Sequence, residues 1–253
     1  MKIGTFNIRV STPKDLFYGH AWVTRMKRCY NIINQFDIVG LQEVSRLRVV
    51  FLFFMFIWKY KIIWGGFGII YPRNPILVKR RRFGVLDHDW YYLNDKTNNW
   101  RIPDRDSIAE PRTINYAHII DRTTGEFIDF YNTHLDHKAS LRDRIWYFDL
   151  IHSIITDVNN YKHQNPLIFT GDFNFRQDED AYNHFVRYFD DLGVEPFIYD
   201  NQNIRKGWYS EGPVKAPIDF IFTLQVKPYD IKEYGTIEDD KASDHYARYK
   251  VCE

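Results

Sequence analysis

Six carboxylate and amide side chains and two histidines are placed where chemistry could be done, each at an end of a short apolar run. Asn7 follows Thr5-Phe6, and Gln42-Glu43 follows Ile38-Val39-Gly40-Leu41. His134 lies in Thr133-His134-Leu135-Asp136-His137, at the end of a middle run. Asp172 and Asn174 follow Leu167-Ile168-Phe169-Thr170, Asp219 lies within Pro217-Ile218-Asp219-Phe220-Ile221, and Ser243-Asp244-His245 opens the last run. Glu43, Asp172, Asp219, Asp244, Asn7 and Asn174 offer oxygen ligands and amide donors, a set suited to Mg²⁺ or Mn²⁺. His134 and His245 add groups that titrate near neutrality. Carboxylates, amides and imidazoles around one hard cation can drive attack of water on phosphorus.

Such residues must be held by rigid elements, and the sequence supplies them. Lys2–Ile8, Asp37–Leu41, Phe127–Leu135, Pro166–Thr170, Ile218–Leu224 and Tyr246–Val251 are apolar with little alternation, which predicts strands covered on both faces. Ala21–Phe36 predicts a helix burying Trp22, Met26, Cys29/Tyr30 and Ile33. Ser140–Asn160 predicts another, with Ile145, Phe148, Ile151/His152, Ile155 and Val158 on one stripe and Ser140 capping against Asp143. Asp178–Leu192 predicts a third, through Ala181, Phe185 and Phe189, ended by Gly193. The class is α/β or α+β.

Composition narrows the options. The chain has 253 residues, 45% apolar and 26% charged, enough to bury a core without staples. Two cysteines, Cys29 and Cys252, exclude a disulfide scaffold and a cysteine-based zinc module. No signal-peptide pattern opens the chain, and the longest apolar run, Val49–Trp58, is ten residues against the roughly 18–20 needed to span a bilayer. A soluble, cytoplasmic, monomeric protein with one domain over 1–253 is the expectation, without stable membrane insertion. The net charge of +1 hides an asymmetry, because residues 1–86 carry 15 Lys and Arg against three Asp and Glu. That imbalance either steers an anionic partner or is cancelled when the fold mixes both halves.

Five ordered blocks, Thr5-Phe6-Asn7-Ile8-Arg9, Gly40-Leu41-Gln42-Glu43-Val44, Asn132-Thr133-His134-Leu135-Asp136-His137, Gly171-Asp172-Phe173-Asn174 and Ser243-Asp244-His245, with Ile218-Asp219-Phe220-Ile221 as a sixth, resemble the endonuclease/exonuclease/phosphatase superfamily. This is the fold of pancreatic deoxyribonuclease and the abasic-site endonucleases. The resemblance implies a four-layer α/β sandwich of two face-to-face mixed β-sheets flanked by helices, and a Mg²⁺-dependent phosphoesterase in which Mn²⁺ can substitute. It implies Glu43 as principal metal ligand, Asn7 beside it touching metal or phosphate, and Asp244 near the metal. Asp172 would activate the water, and Asn174 would hold that water or a phosphate oxygen. His245 would donate to a non-bridging oxygen, with Asp219 on its other nitrogen. His134 matches the sphingomyelinase and deoxyribonuclease branches, where it touches phosphate or assists the leaving group. Arg112 aligns with a phosphate-facing arginine, and His137 has a supporting position.

The substrate is expected to be a phosphodiester, in a nucleic acid or a nucleotide, with a phospholipid, inositol phosphate or sugar phosphate as the alternative. Trp208 and Tyr209 offer rings on which bases, sugars or lipids pack. The apolar run Val49–Trp58 departs from the polar helix of relatives and reads as core or as a membrane-touching face. Lys79-Arg80-Arg81-Arg82 reads as a solvated strand end or a phosphate contact. A binuclear zinc motif would need a histidine where Asn132 stands. A catalytically inactive binding module would be expected to lack the carboxylates, and all are present.

Overall fold

The computed structural model describes residues 1–65, 74–93, 112–162, 165–189, 194–195, 218–224 and 231–252. Trp208, Tyr209 and Gly193 lie outside them. Two six-stranded sheets stack face to face. The first has the order β11-β12-β1-β2-β4-β3, built from β1 (Lys2–Asn7), β2 (Ile38–Gln42), β3 (Tyr60–Ile63), β4 (Ile76–Lys79), β11 (Ile231–Ile237) and β12 (Ala247–Cys252). The second has the order β5-β6-β7-β8-β10-β9, from β5 (Phe83–Tyr92), β6 (Thr113–Asp121), β7 (Phe127–His134), β8 (Leu167–Asp172), β9 (Val194–Glu195) and β10 (Asp219–Leu224).

Each sheet is antiparallel except for one parallel pair at its centre, β1–β2 and β7–β8. A parallel neighbour requires a crossover, and helices supply it. α1 (Pro13–Phe17) and α2 (Trp22–Ile33) join the first pair, and α4 (Leu141–Lys162) joins the second. α3 (Arg46–Phe56) lies beside α2, and α5 (Asp180–Tyr188) lies beside α4. Ile3, Ile38, Ile63, Ile76, Ile128, Phe130, Ile168 and Ile221 fill the space between the sheets. α2 and α3 cover one outer face through Cys29, Ile33, Val49, Leu52 and Phe56. α4 and α5 cover the other through Phe148, Ile151, Ile155 and Phe185. The expected four-layer sandwich is the observed one.

Ser140 caps α4 as its spacing predicts: the Asp143 amide donates to Ser140 Oγ at 3.2 Å, and the Ser140 amide donates to Asp143 Oδ2 at 3.1 Å. One expectation needs correction. On α2 the buried stripe is Arg25, Cys29, Ile32 and Ile33, whereas Met26 is exposed. The helix is rotated because the Arg25 guanidinium turns inward, donating to the carbonyls of His20, Ile8, Ala242 and Arg9 at 2.8–3.0 Å. Of the two readings of Lys79–Arg82, the strand end is the observed one, and the run does not face the site. It ends β4, which pairs antiparallel to β2, so it lies at the far end of the sheet from Gln42. Its side chains serve the fold: Lys79 pairs with Asp37 at 3.0 Å, Arg80 Nε donates to the Ile57 carbonyl at 3.0 Å, and Arg82 grips Asp121 at 2.6 Å.

Period-two alternation puts Thr5, Asn7, Gly40, Gln42, Asn132, His134, Thr170 and Asp172 on the inner faces of the four central strands. Each inner face thus changes from apolar to polar toward its carboxyl end. Asn132 bolts the sheets together there: its Nδ2 donates to the Leu41 carbonyl at 2.9 Å, and its Oδ1 accepts from Gln42 Nε2 at 2.8 Å and from Thr170 at 3.2 Å. Only glycine fits at position 40, because a Cβ would stand 2.3 Å from Asn132 Oδ1 and 2.6 Å from Thr170 Oγ1. Gly40→Ala is expected to cost about 1–3 kcal/mol, as overpacking does, read as a lowered denaturant midpoint at unchanged slope. A midpoint equal to wild type would mean that the bolt yields freely.

Candidate functional site

The site lies where the polar ends converge, outside the carboxyl ends of the central strands, as parallel strand pairs commonly arrange. β1 delivers Asn7, and the residue after β2 is Glu43. β7 ends on His134, which is in register with Asp172 at the end of β8. β10 begins at Asp219, opposite Asp172 across the antiparallel pair. Asp244 and His245 precede β12.

Asn7 ties the two sheets at this point, its Nδ2 donating to Glu43 Oε1 at 3.1 Å and to Asp172 Oδ2 at 2.9 Å. Its own carbonyl accepts from Ser243 Oγ at 2.7 Å, which draws in the Ser243-Asp244-His245 turn. The other oxygen of Asp172 accepts from the Asn174 amide at 3.0 Å. Asn174 Nδ2 donates to the Leu135 carbonyl at 2.8 Å, so this side chain holds the end of β7. His245 Nδ1 lies 2.8 Å from Asp219 Oδ2 and 3.8 Å from Asp172 Oδ2. His134 Nε2 lies 3.7 Å from Asp172 Oδ2. Arg112 pairs with Asp136 at 3.4 Å, and His137 is largely exposed, beside Asp136 at 3.6 Å.

Three non-glycine residues among those described have positive φ, namely Arg9 (52°), Glu43 (58°) and Asn174 (53°), and all three border this cluster. A left-handed residue costs free energy and persists only where its surroundings enforce it, so strain gathers here. The Val10 amide and Asn7 Nδ2 each donate to the Glu43 carboxylate and fix its direction.

The electrostatics divide the two histidines. Burial would lower the pKa of His245, but the charge and hydrogen bond of Asp219, with Asp172 and Asp244, raise it to about 9. It is therefore an imidazolium at neutral pH. Burial and the Arg112 cation push His134 down to about 3, leaving it neutral. Burial would raise Glu43, yet the Val10 amide, the His245 imidazolium and the Asn7 hydrogen bond together hold it below the ordinary carboxylate range.

Side-chain atoms of Asp172, Asp219 and His245 lie within 4.8 Å of one another, close enough to surround a cation. A protonated imidazole cannot ligate, so this trio is better suited to proton handling than to metal. Glu43 is the ionised, directed carboxylate that fits a hard cation, with Asn7 beside it. Asp244 is drawn elsewhere, since the Arg9 guanidinium binds it and also reaches Asp15 at 3.2 Å.

Sequence reasoning passed over Arg9, Arg25, Asn132 and Ser243. Arg9, Asn132 and Ser243 stood inside the motif blocks without a catalytic role. Arg25 gave one signal, a cation on a helix stripe otherwise apolar.

The profile of the Endonuclease/Exonuclease/phosphatase family matches residues 4–245. The chain belongs to that family. No curated protein matches the sequence. Among solved structures, the mannosyl-6-phosphatase of Bacteroides thetaiotaomicron VPI-5482 superposes with a TM-score of 0.79 at 20% identity, over 100% of this chain and 99% of that one. The human nocturnin catalytic domain with bound sulfate gives 0.71 at 15% identity over 99% and 93%. D. rerio TDP2 complexed with a single-strand DNA product gives 0.70 at 18% identity over 99% and 97%. At these identities the likeness is one of fold. Membership of the family supports a metal-dependent phosphoesterase.

Proposed function

We propose that the protein hydrolyses a phosphodiester, in a nucleic acid or nucleotide-like substrate, by in-line attack of a water that Asp172 deprotonates. The observation that carries this reading is the buried Asp219–His245 pair set beside Asp172. It places a cationic hydrogen-bond donor next to a carboxylate acceptor, the two charges that in-line hydrolysis needs. Asn7 and the Asn174 amide hold one oxygen each of Asp172 and aim it. Asp172 takes the water's proton as the new P–O bond forms and the leaving oxygen departs. His245 donates from Nε2 to a non-bridging oxygen, while Asp219 keeps the ring oriented. Neutral His134 contacts the phosphate or supports the leaving oxygen, and Arg112, buried and paired with Asp136, adds positive potential behind it. Glu43, with Asn7, would hold Mg²⁺, for which Mn²⁺ can substitute. The bound ion would neutralise charge on the phosphate. Asp244 has the lesser claim as a ligand, because Arg9 already neutralises it.

The purified protein should cleave bis-p-nitrophenyl phosphate in Mg²⁺, lose activity in excess chelator and regain it with Mg²⁺ or Mn²⁺. Glu43→Gln should weaken Mg²⁺ binding in a direct titration while the protein stays folded at somewhat lower stability, since the amide keeps the shape and removes the charge but turns its NH₂ toward either the Val10 amide or Asn7 Nδ2. Full activity in chelator would overturn the metal assignment. Faster turnover of p-nitrophenyl phosphate than of the diester would favour a phosphatase. Single-stranded DNA, RNA and sphingomyelin in the same screen separate the substrate classes.

A further inference from the structure

The two helical layers of the sandwich turn different surfaces to solvent. Among the described residues, α4 and α5 expose one large apolar side chain, Leu141. The layer over the first sheet exposes many. On α3, Val50, Phe53 and Phe54 are exposed at 54%, 37% and 70%, and Trp58, just past the helix, at 91%. These positions follow helical spacing, i, i+3, i+4 and i+8, and form a second apolar stripe opposite the buried one of Val49, Leu52 and Phe56. Val23 and Met26 on α2 continue the surface, because α2 and α3 run side by side with Trp22 against Phe51 and Tyr30 against Phe56.

The charge of this layer is one-sided. α2 and α3 carry no acidic residue, and of their cations Lys27 and Arg28 are exposed while Arg25 and Arg48 are buried. The neighbouring acids Asp15, Asp37 and Asp239 are engaged by Arg9, Lys79 and Arg28. Lys27 on α2 and Lys59, next to Trp58 in the chain, are exposed, and Lys59 Nζ donates to Asn34 Oδ1 at 2.6 Å. Aromatic and aliphatic side chains bordered by lysines, with no acid among them, complement a surface that is apolar within and anionic at its face.

We propose that the outer face of α2 and α3 docks on an anionic lipid bilayer. α3 has 11 residues, roughly 16 Å of helix against about 30 Å of hydrocarbon, so it lies in the interface and does not cross. No helix among the described residues is long and apolar enough to cross a membrane. Phe54 and Trp58 enter the acyl boundary while Lys27 and Lys59 meet lipid phosphates and carboxylates. This inference is independent of the phosphodiester reading.

Sedimentation with vesicles tests it. The protein should bind vesicles of phosphatidylcholine with phosphatidylserine, bind phosphatidylcholine alone far less, and release at high salt. Phe54→Ser/Trp58→Ser and Lys27→Glu/Lys59→Glu should each weaken binding by roughly tenfold or more. All four side chains are exposed or at the surface, so both variants should keep the wild-type melting temperature and the wild-type rate on soluble bis-p-nitrophenyl phosphate. Failure of the wild type to bind anionic vesicles, or binding by both variants equal to wild type, would overturn the proposal. So would a dimer in analytical ultracentrifugation that Phe54→Ser/Trp58→Ser dissolves, since the face would then seat a second copy.

Discussion

Asp172→Asn is expected to lower kcat at least about 100-fold, the scale of losing a general base. The reason is local. One oxygen of Asp172 accepts from Asn7 Nδ2 and the other from the Asn174 amide, so both partners are donors. An asparagine can satisfy only one, and its own NH₂ must then face a donor. The variant loses the proton acceptor and loosens Asn7, which also contacts Glu43. Mg²⁺ affinity should therefore fall only slightly, through Asn7, while turnover collapses. Stopped-time kinetics on the diester and a metal titration separate the two. A variant keeping half of wild-type turnover would assign the base to another group.

The second large effect concerns Asp219 and His245. Both are almost fully buried, and the pair is joined at 2.8 Å. Asp219→Asn removes the main support of the imidazolium, so the pKa of the ring falls toward its burial-lowered value and its hold on the second proton weakens, although Asp172 and Asp244 remain. His245→Ala removes the donor outright and leaves Asp219 buried beside Asp172, two carboxylates facing each other across β8 and β10. Each single change is expected to lower kcat by about 10²–10⁴-fold. The double variant should be little worse than the worse single one, because groups that act as a unit lose most function at the first removal. Additive losses in the cycle would separate the residues and leave Asp219 with a structural role.

How much of this was legible depended on where each element sits. The central strands β1, β2, β7, β8 and β10 are covered on both faces, so their continuous apolar runs stand out. β6 was not foreseen because Asn115, His118 and Asp121 interrupt it, buried polar residues that bond to Asn74, Asp129 and Arg82 from other elements. β5 alternates between half-buried and exposed residues over 85–89 and carries Asp87, His88 and Asp89 on a half-open sheet edge. The apolar run Val49–Trp58 pointed to burial, but half of it faces solvent on α3, because one helix stripe suffices to cover the sheet.

The sequence by itself determined the family, the four-layer class and the set of polar residues at the strand ends, since ordered short blocks and apolar runs are local properties. Only the tertiary structure decided which of those residues meet. Asn7 contacts Asp172 across 165 positions of chain, and Arg9 reaches Asp244 across 235. The same closure rotated α2 to bury Arg25 and carried Lys79–Arg82 to the far end of the sheet. Pairing between sheets is set by register and by which inner face a side chain occupies, and neither is written in the spacing of one segment.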